Sequence, residues 1–180
     1  MAYVNKTGLP SVTQALGAFI ESEWVAQEYL DRGTAVHDAA HAYISGRYVA
    51  PLRADWRGYV DSFKRWADEV QPEVVSAEDR LVDAISGFCG QPDFIGRIRG
   101  RFGVGLIDWK TSLAVSKWHR LQGAAYRHLA KRAGKLTKWG GNLRLRHDGK
   151  MPIFDSWPED YRIDYQRFQC AMALFKYFNS

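Results

Sequence analysis

Two stretches decide the fold: GQPDFIG at residues 90–96 and LIDWKTS at residues 106–112. The first alternates around Asp93, and the second is an apolar run that ends in polar residues, so both patterns are typical of β-strands. Arg99 and Gly100 lie between them and predict a hairpin turn. The sequence therefore predicts two neighbouring strands that bring their polar residues to one place.

The polar residues of these strands have the chemistry of a metal site. Asp108 and Lys110 are two residues apart, so their side chains leave the same face of a strand. Asp93 precedes Asp108 by 15 residues, enough for a strand, a turn and a return strand. Carboxylates suit a hard cation such as Mg²⁺, and a lysine beside them can orient or help deprotonate a water.

Four motifs together resemble a known family. Pro92-Asp93 followed by Asp108-Trp109-Lys110 resembles the signature of the PD-(D/E)XK nucleases. GTAVH at residues 33–37 resembles the upstream histidine motif of the RecB-like, phage-exonuclease branch, and QGAAY at residues 122–126 resembles its downstream Gln-x-x-x-Tyr motif. The four pieces stand in the family's order, which makes the resemblance specific.

The resemblance implies a role for each motif residue. Asp93 and Asp108 are expected to bind Mg²⁺, for which Mn²⁺ can substitute, and the backbone carbonyl of Trp109 is expected to complete the ligand set. Lys110 would position the attacking water and stabilise charge on the phosphate. His37 would be a further metal ligand, although a lone histidine on an amphipathic helix is more often a packing residue.

The resemblance also implies supporting residues. Glu78 lies 15 residues before the first motif aspartate and resembles the acidic residue on the family's first core strand. Glu73 and Asp79 are competing candidates for that role, and the sequence leaves the choice open. Gln122 and Tyr126 are expected to hold a DNA phosphate or a metal-bound water.

Positive charge is concentrated in one segment. The chain has a net charge of +5, yet residues 117–150 carry about +9 and the remainder about −4. The basic residues of the segment are Lys117, Arg120, Arg127, Lys131, Arg132, Lys135, Lys138, Arg144, Arg146 and Lys150. A solvated helix face would explain such a stripe, but phosphate binding also would. We predict that Lys117, Arg120, Arg127 and Lys131 contact substrate.

The first 70 residues predict helices. Ser11 and Gln14 resemble a capping box that opens the first helix, and Gly33 is expected to end it. The predicted helices cover residues 11–29, with Phe19, Ile20, Trp24 and Tyr29 at helical spacing, then about 34–45, and about 54–70. Aromatic residues recur at core spacing in the third helix, so we expect them in the core and not as a base-stacking surface.

The remaining residues predict strands and two more helices. Apolar residues between 74 and 85 suggest a strand or hairpin arm, which the two motif strands follow. The later predicted elements are a helix at about 117–133, a strand at 143–146 turning at Asp148-Gly149 into a return at 151–154, and a helix at about 159–178. This order agrees with the αβββαβ core that the resemblance implies. That core is a restriction-endonuclease-like α/β (α+β) fold, a mixed sheet flanked by helices, with added N-terminal helices and a C-terminal helix.

Length and composition narrow the class of protein. A chain of 180 residues with 46% hydrophobic residues fits one globular domain, with a helical part at 1–70 and a catalytic core at 71–180. The absence of an apolar run of membrane length argues against a membrane location. Cys89 and Cys170 suggest a reducing compartment and are too few for a four-cysteine iron–sulfur cluster.

The sequence therefore predicts a Mg²⁺-dependent DNA nuclease, an exonuclease of recombination, replication or repair. The family's context implies DNA and a single-strand annealing or replication protein as partners, in the cytoplasm of a bacterial or phage-infected cell. A mitochondrial location and the oligomeric state are left open. One alternative is a nucleic-acid-binding module that does not cleave. Another is a zinc hydrolase built on His37 and His41, which are four apart and share a helix face.

Overall fold

A computed structural model describes residues 8–19 and 27–179. The helices are α1 (Val12–Gly17), α2 (Gln27–Ile44), α3 (Arg57–Val70), α4 (Lys117–Arg132) and α5 (Arg162–Phe178), with a short 3₁₀ turn at Ala54–Trp56 before α3. The strands are β1 (Glu73–Ser76), β2 (Leu81–Asp83), β3 (Phe88–Gly90), β4 (Phe94–Arg97), β5 (Gly105–Lys110), β6 (Trp139–Arg144) and β7 (Ile153–Ser156). Within these residues no helix is both long and apolar enough to cross a bilayer.

Five strands form the central sheet in the order β1-β4-β5-β6-β7. Only β5 and β6 pair in parallel, and α4 is the crossover between them; the other neighbours are antiparallel. The order α3-β1-β4-β5-α4-β6 is the predicted αβββαβ core, so the mixed α/β fold is confirmed. The β2–β3 pair is a separate hairpin, which the sequence pattern did not distinguish from the strands of the main sheet.

The sheet separates two hydrophobic cores, and β5 contributes to both. Ile107 and Trp109 face α3, where the Trp109 ring lies 5.0 Å from Phe63 and 5.5 Å from Trp66, centroid to centroid. Leu106 faces the other way, into the core that α4 and α5 share. This alternation leaves the remaining even-numbered side chains of β5, Asp108 and Lys110, on the α4 side.

The helical predictions before residue 45 need correction. The capping box of Ser11 and Gln14 is present, but α1 ends at Gly17, and Phe19 is exposed. Residues 20–26 lie outside the described part of the chain. Gly33 does not end a helix, because α2 runs through it; an internal glycine costs only about 1 kcal/mol, which the packing of α2 on α3 can offset.

The strand around Asp93 is interrupted. β3 ends at Gly90 and β4 begins at Phe94, so Asp93 stands at the break and not in the middle of a strand. The predicted turn at Arg99 and Gly100 is correct, and Gly100 supplies the left-handed conformation there with φ +82°. The break frees the backbone next to Asp93 from the ladder.

The strand predicted at 143–146 begins earlier, at Trp139, and the predicted tight hairpin is instead an eight-residue connection between β6 and β7. Gly140 and Gly141 are strand residues because rings lie against them. A Cβ at Gly140 would meet the ring of Trp157 at 2.6 Å, and one at Gly141 would meet Phe154 at 2.5 Å. Close packing, not a turn, explains these glycines.

Candidate metal centre

Three side chains from separate parts of the chain meet at one point. His37 of α2, Glu78 of the loop after β1, and Asp93 before β4 have ligand atoms that all lie within 4.8 Å of one another. The His37 Nδ1 atom lies 3.1 Å from the Asp93 carboxylate. We call His37, Glu78 and Asp93 the acidic cluster. The break between β3 and β4 is what allows Asp93 to reach it.

Glu78 enters the acidic cluster from an unusual backbone conformation. Its φ of +56° is rare for a residue other than glycine, and such strain is often found at functional sites. Its N–H donates to the Pro92 carbonyl at 3.2 Å, and the Gln91 side-chain amide donates to its carboxylate at 2.7 Å. The loop that carries Glu78 is thus fastened to the residues just before Asp93.

The two competing acids lie elsewhere. Glu73 is exposed at the start of β1 and faces Arg97 at 4.0 Å. Asp79 accepts hydrogen bonds from Ser76 at 2.6 Å and from the Lys135 ammonium at 3.2 Å. Of the three acids, Glu78 is the one that the structure brings to His37 and Asp93.

Asp93 also fixes the end of β5. Its second carboxylate oxygen accepts the backbone N–H of Trp109 at 2.6 Å. The Lys110 carbonyl, by contrast, accepts the N–H of Leu145 on the β6 side. Because successive residues of a strand direct their backbone groups to opposite sides, the Trp109 carbonyl faces the β4 side, beyond the last pair of the ladder, Phe94 with Ile107. This is the direction that the predicted ligand role of Trp109 requires.

A chain of polar contacts joins β5 to α4. The Lys110 ammonium is paired with the Asp108 carboxylate and donates to the Gln122 side-chain carbonyl at 3.0 Å. The Gln122 amide donates to the Tyr126 hydroxyl at 3.2 Å. Gln122 and Tyr126 are buried, and they reach the strand residues as their four-residue spacing predicted. Asp108 is not part of the acidic cluster; its carboxylate is occupied by Lys110.

The electrostatics of these groups show an excess of negative charge. Burial and then the Asp93 carboxylate raise the pKa of Glu78 to about 7. Burial raises the pKa of Asp108 to about 6, although the Lys110 ammonium lowers it. Burial lowers the pKa of His37, but Asp93 more than compensates and raises it to about 9. A bound cation would stabilise the charged forms of these carboxylates.

A divalent cation fits this donor set. Oxygen ligands from Glu78 and Asp93 suit a hard ion, and the His37 nitrogen extends the choice to Mn²⁺. Asp108 and the Trp109 carbonyl lie at the adjoining end of β5. The convergence of the three ligand atoms within 4.8 Å of one another is the structural observation behind the fit. The raised pKa of Glu78 agrees with it, because a bound cation would favour the charged carboxylates and displace the proton from the imidazole.

His41 does not join His37. It lies one turn further along α2 and lines a groove of about 470 Å³ with Asp38, Arg47, Tyr48 and Glu78. Burial and the charge of Arg47 lower the pKa of His41. The three-residue group of possible ligands in the described chain includes His37 without His41, so the geometry gives the zinc-pair alternative no support.

The predicted substrate-binding cations are dispersed. The structure corrects the prediction for Arg127, whose side chain is only 4% exposed. Its guanidinium donates to Thr137 and to the backbone carbonyls of Pro158 and Glu159, so it holds parts of the fold together. Arg120 is paired with Asp164 at 2.8 Å.

Lys117 and Lys131 are both exposed, at opposite ends of α4. They are fourteen positions apart along the helix, or about 21 Å. Lys117 lies in the first turn and precedes Trp118, whose ring centroid lies 5.4 Å from the Lys110 ammonium. Lys131 lies in the last turn, at the other end of the helix, so the predicted substrate contact is kept for Lys117 and revised for Lys131.

Two residues near Lys110 escaped the sequence analysis. His119 accepts the Ser116 N–H at 3.1 Å and caps α4, and burial together with Lys110 lowers its pKa to about 3. Its spacing of three from Gln122 was the available signal. Asn142 is the residue of β6 that pairs with Asp108. No sequence pattern indicates it, because the register of β5 with β6 depends on the whole crossover.

No family model matches the chain, and no curated protein matches it. Among solved structures, the crystal structure of LHK-Exo in complex with dAMP is similar at 13% identity and a TM-score of 0.42, covering 95% of this chain and 89% of that chain. The crystal structure of an alkaline exonuclease (LHK-Exo) from Laribacter hongkongensis is similar at 13% identity and a TM-score of 0.36, covering 96% and 92%. Similarity at this level carries no argument about function, so any functional inference must come from the geometry of the chain's own residues.

Proposed function

We propose that the protein is a divalent-metal-dependent DNA nuclease of the PD-(D/E)XK type. One observation carries the proposal: the fold gathers His37, Glu78 and Asp93 into one cluster and sets Asp108 and Lys110 at the adjoining strand end. These residues come from motifs far apart in the sequence, and the resemblance had assigned them to one site. The excess of buried negative charge gives the same assignment a physical basis.

The residues divide the work of phosphodiester hydrolysis. Glu78, Asp93 and His37 would hold the cation, with Asp108 and the Trp109 carbonyl as further donors. The chemistry that a bound divalent cation supplies is a lowered pKa of water and stabilisation of the leaving oxygen. The Lys110 ammonium, released from Asp108, orients the attacking water and stabilises charge on the phosphate.

Substrate contacts beyond the metal are assigned to α4. Gln122 accepts a hydrogen bond from Lys110 through its side-chain carbonyl, and the exposed Lys117 lies five residues before it on the same helix. DNA approaching the end of β5 would pass the first turn of α4, where the Lys117 ammonium would stabilise a phosphate. The proposal treats residues 1–180 as one nuclease domain, and an exonuclease acting in recombination, replication or repair is its finer form.

Cleavage assays on four DNA forms test the proposal. End-labelled single- and double-stranded DNA, each linear and circular, would be incubated with Mg²⁺, Mn²⁺ or EDTA. We expect metal-dependent degradation of linear DNA with circular DNA spared. Cleavage of circular DNA would replace the exonuclease by an endonuclease. Binding of DNA without cleavage of any form would favour the non-cleaving module.

Variants connect the activity to the site. Lys110→Ala and Asp108→Ala should abolish hydrolysis without unfolding the protein, because they remove the groups that orient water and complete the cation's ligands. Glu78→Gln should also abolish most activity, whereas Asp79→Asn, the matched acid next to it, should retain it. Wild-type turnover by Lys110→Ala in Mg²⁺ would refute the site.

A further inference from the structure

Asn142 is a polar side chain in an apolar position. It lies in the middle of β6 with no exposed surface, and neither its amide nitrogen nor its amide oxygen has a hydrogen-bond partner in the described chain. Leaving a buried amide unpaired is costly, and most buried polar groups are paired. An apolar residue at this position would give a more favourable free energy of folding, which indicates that the amide has a role other than packing.

The sheet places this amide beside the site. Asn142 pairs in register with Asp108 across the parallel β5–β6 ladder, where neighbouring strands lie about 4.8 Å apart. Its neighbour Leu143 points into the aromatic core under α3, so Asn142 points to the α4 side with Asp108 and Lys110. It is thus a direct cross-strand neighbour of the Asp108 side chain.

The other β6 residues on that face cannot take this place. Gly140 has no side chain, and Trp157 covers it. Arg144 is directed away, with its guanidinium bonded to Asp155 and, at 2.6 Å, to the Leu113 carbonyl. Asn142 is therefore the β6 side chain that can supply a hydrogen bond to Asp108.

We propose that Asn142 is a positioning residue that holds the Asp108 carboxylate when Lys110 leaves it. In the structure Lys110 is paired with Asp108, but the proposed reaction needs its ammonium at the water and the phosphate. Asp108 must then exchange one donor for another while it turns to the cation. The Asn142 amide N–H offers that donor from inside the core. The inference rests on the proposed function and names a residue that this function does not otherwise use.

The test compares Asn142→Leu with Asn142→Thr and with Leu143→Ala. Asn142→Leu keeps the volume and removes the unpaired amide, so the metal-free protein should melt at the same temperature or higher. Its kcat should nevertheless fall at least about 10-fold, its KM for DNA should not change, and its Mn²⁺ affinity, measured by calorimetry without DNA, should fall about 10-fold. Asn142→Thr keeps a donor and should recover part of both losses.

Leu143→Ala is the matched control, because it cuts a fully buried side chain on the opposite face of the same strand. It should lower the melting temperature and leave kcat and Mn²⁺ affinity per folded molecule unchanged. Lower stability of Asn142→Leu with wild-type kcat and Mn²⁺ affinity would make Asn142 a packing residue and overturn the inference. Should Asn142→Leu fail to fold, Asn142→Thr decides the matter. Reduced kcat and Mn²⁺ affinity with an unchanged KM would support the inference, and wild-type values would overturn it.

The two proposals fail in different ways. If the wild type cleaves DNA and Asn142→Leu matches it in kcat and Mn²⁺ affinity, the positioning role falls alone. If the wild type binds Mn²⁺ without cleaving DNA, the nuclease proposal falls, and the Mn²⁺ affinities of the variants still decide the role of Asn142. A wild type that binds no Mn²⁺ overturns both.

Discussion

Two histidine–aspartate pairs in this molecule have similar geometry and opposite electrostatics. His128 lies 2.8 Å from Asp83, and His37 lies 3.1 Å from Asp93. Asp83 also accepts hydrogen bonds from the Ser86 hydroxyl at 2.8 Å and from backbone N–H groups at Ile85 and Ser86. Burial would raise the pKa of Asp83, but its hydrogen bonds from His128 and Ser86 hold it well below the ordinary value.

The difference lies in what surrounds each pair. Asp83 has donors on every side, with Arg132 at 3.7 Å, so its charge is balanced inside the protein. Asp93 has Glu78 and Asp108 as neighbours, and both of those carboxyls have raised pKa values. A balanced pair stabilises a fold, whereas a pair with surplus negative charge is suited to an external cation. A histidine beside an aspartate is therefore no signature of a metal site by itself.

Matched substitutions of the two aspartates should give the largest contrast. Asp93→Asn should reduce cleavage more than about 1,000-fold, because it weakens the cation site. It loses the pairing with His37 but also relieves the repulsion of Glu78 and Asp108, so the free energy of unfolding should fall less than in Asp83→Asn. Asp83→Asn should instead lower the free energy of unfolding by about 3 kcal/mol, because donors lose a buried charge, and keep the activity of the folded fraction. Urea unfolding and cleavage rates measure both. Equal activity losses in the two variants would remove the distinction.

The response to pH should also separate the pairs. The raised pKa values of Glu78, about 7, and His37, about 9, mean that their contributions to stability are present at low pH and lost as pH rises through those values. The depressed pKa of Asp83 gives a contribution that is constant above its ordinary value and lost only in acid. In EDTA the free energy of unfolding should thus fall between pH 6 and 9, on the order of 2 kcal/mol.

Chemical denaturation across this pH range, with and without Mg²⁺, measures the effect. Mg²⁺ should restore stability at pH 8, and His37→Ala should flatten the curve above pH 6.5. Stability that rises between pH 6 and 9 without metal would contradict the raised pKa values.

The sequence predicted the parts of this site that depend on local spacing. Asp108 and Lys110 share a strand face, and Gln122 and Tyr126 share a helix face, because those periodicities are local. The role of Glu78 could not be chosen from sequence, since its left-handed backbone has no residue signature and its position depends on the Pro92 carbonyl.

The fold shows the same division. The amphipathic pattern of α3 and the capping residue of α4 predicted those helices closely. The glycines of β6 did not indicate a strand, because their function is to admit the rings of Trp157 and Phe154 from distant parts of the chain. Tertiary contacts of this kind decide a residue's role without leaving a local pattern.

The histidines should show a smaller contrast. His37→Ala should lower cleavage about 10- to 100-fold and shift the preference between Mg²⁺ and Mn²⁺, because the imidazole is the one nitrogen donor of the acidic cluster. His41→Ala, on the same helix, should do much less, and His128→Ala should affect stability alone. Metal titrations of the cleavage rate distinguish them. Equal losses from His37→Ala and His41→Ala would revive the zinc pair.

The smallest expected effect concerns the two ends of α4. Lys117→Gln should reduce the salt slope of DNA binding by about 0.9, because it removes one phosphate contact near the site. Lys131→Gln, about 21 Å further along the helix, should leave the slope unchanged. Binding isotherms at several salt concentrations give both slopes. A change for Lys131 alone would move the DNA path to the other end of α4.

The contact between His37 and Asp93 joins residues 56 positions apart in the chain. Because the entropy of closing such a long loop must be paid before the contact can form, we expect this contact to form late in folding. A cation bound there would stabilise the native state more than the folding transition state. Refolding would then proceed at the same rate with or without metal, while unfolding would slow. The metal would govern how long the folded chain survives, and not how quickly it forms.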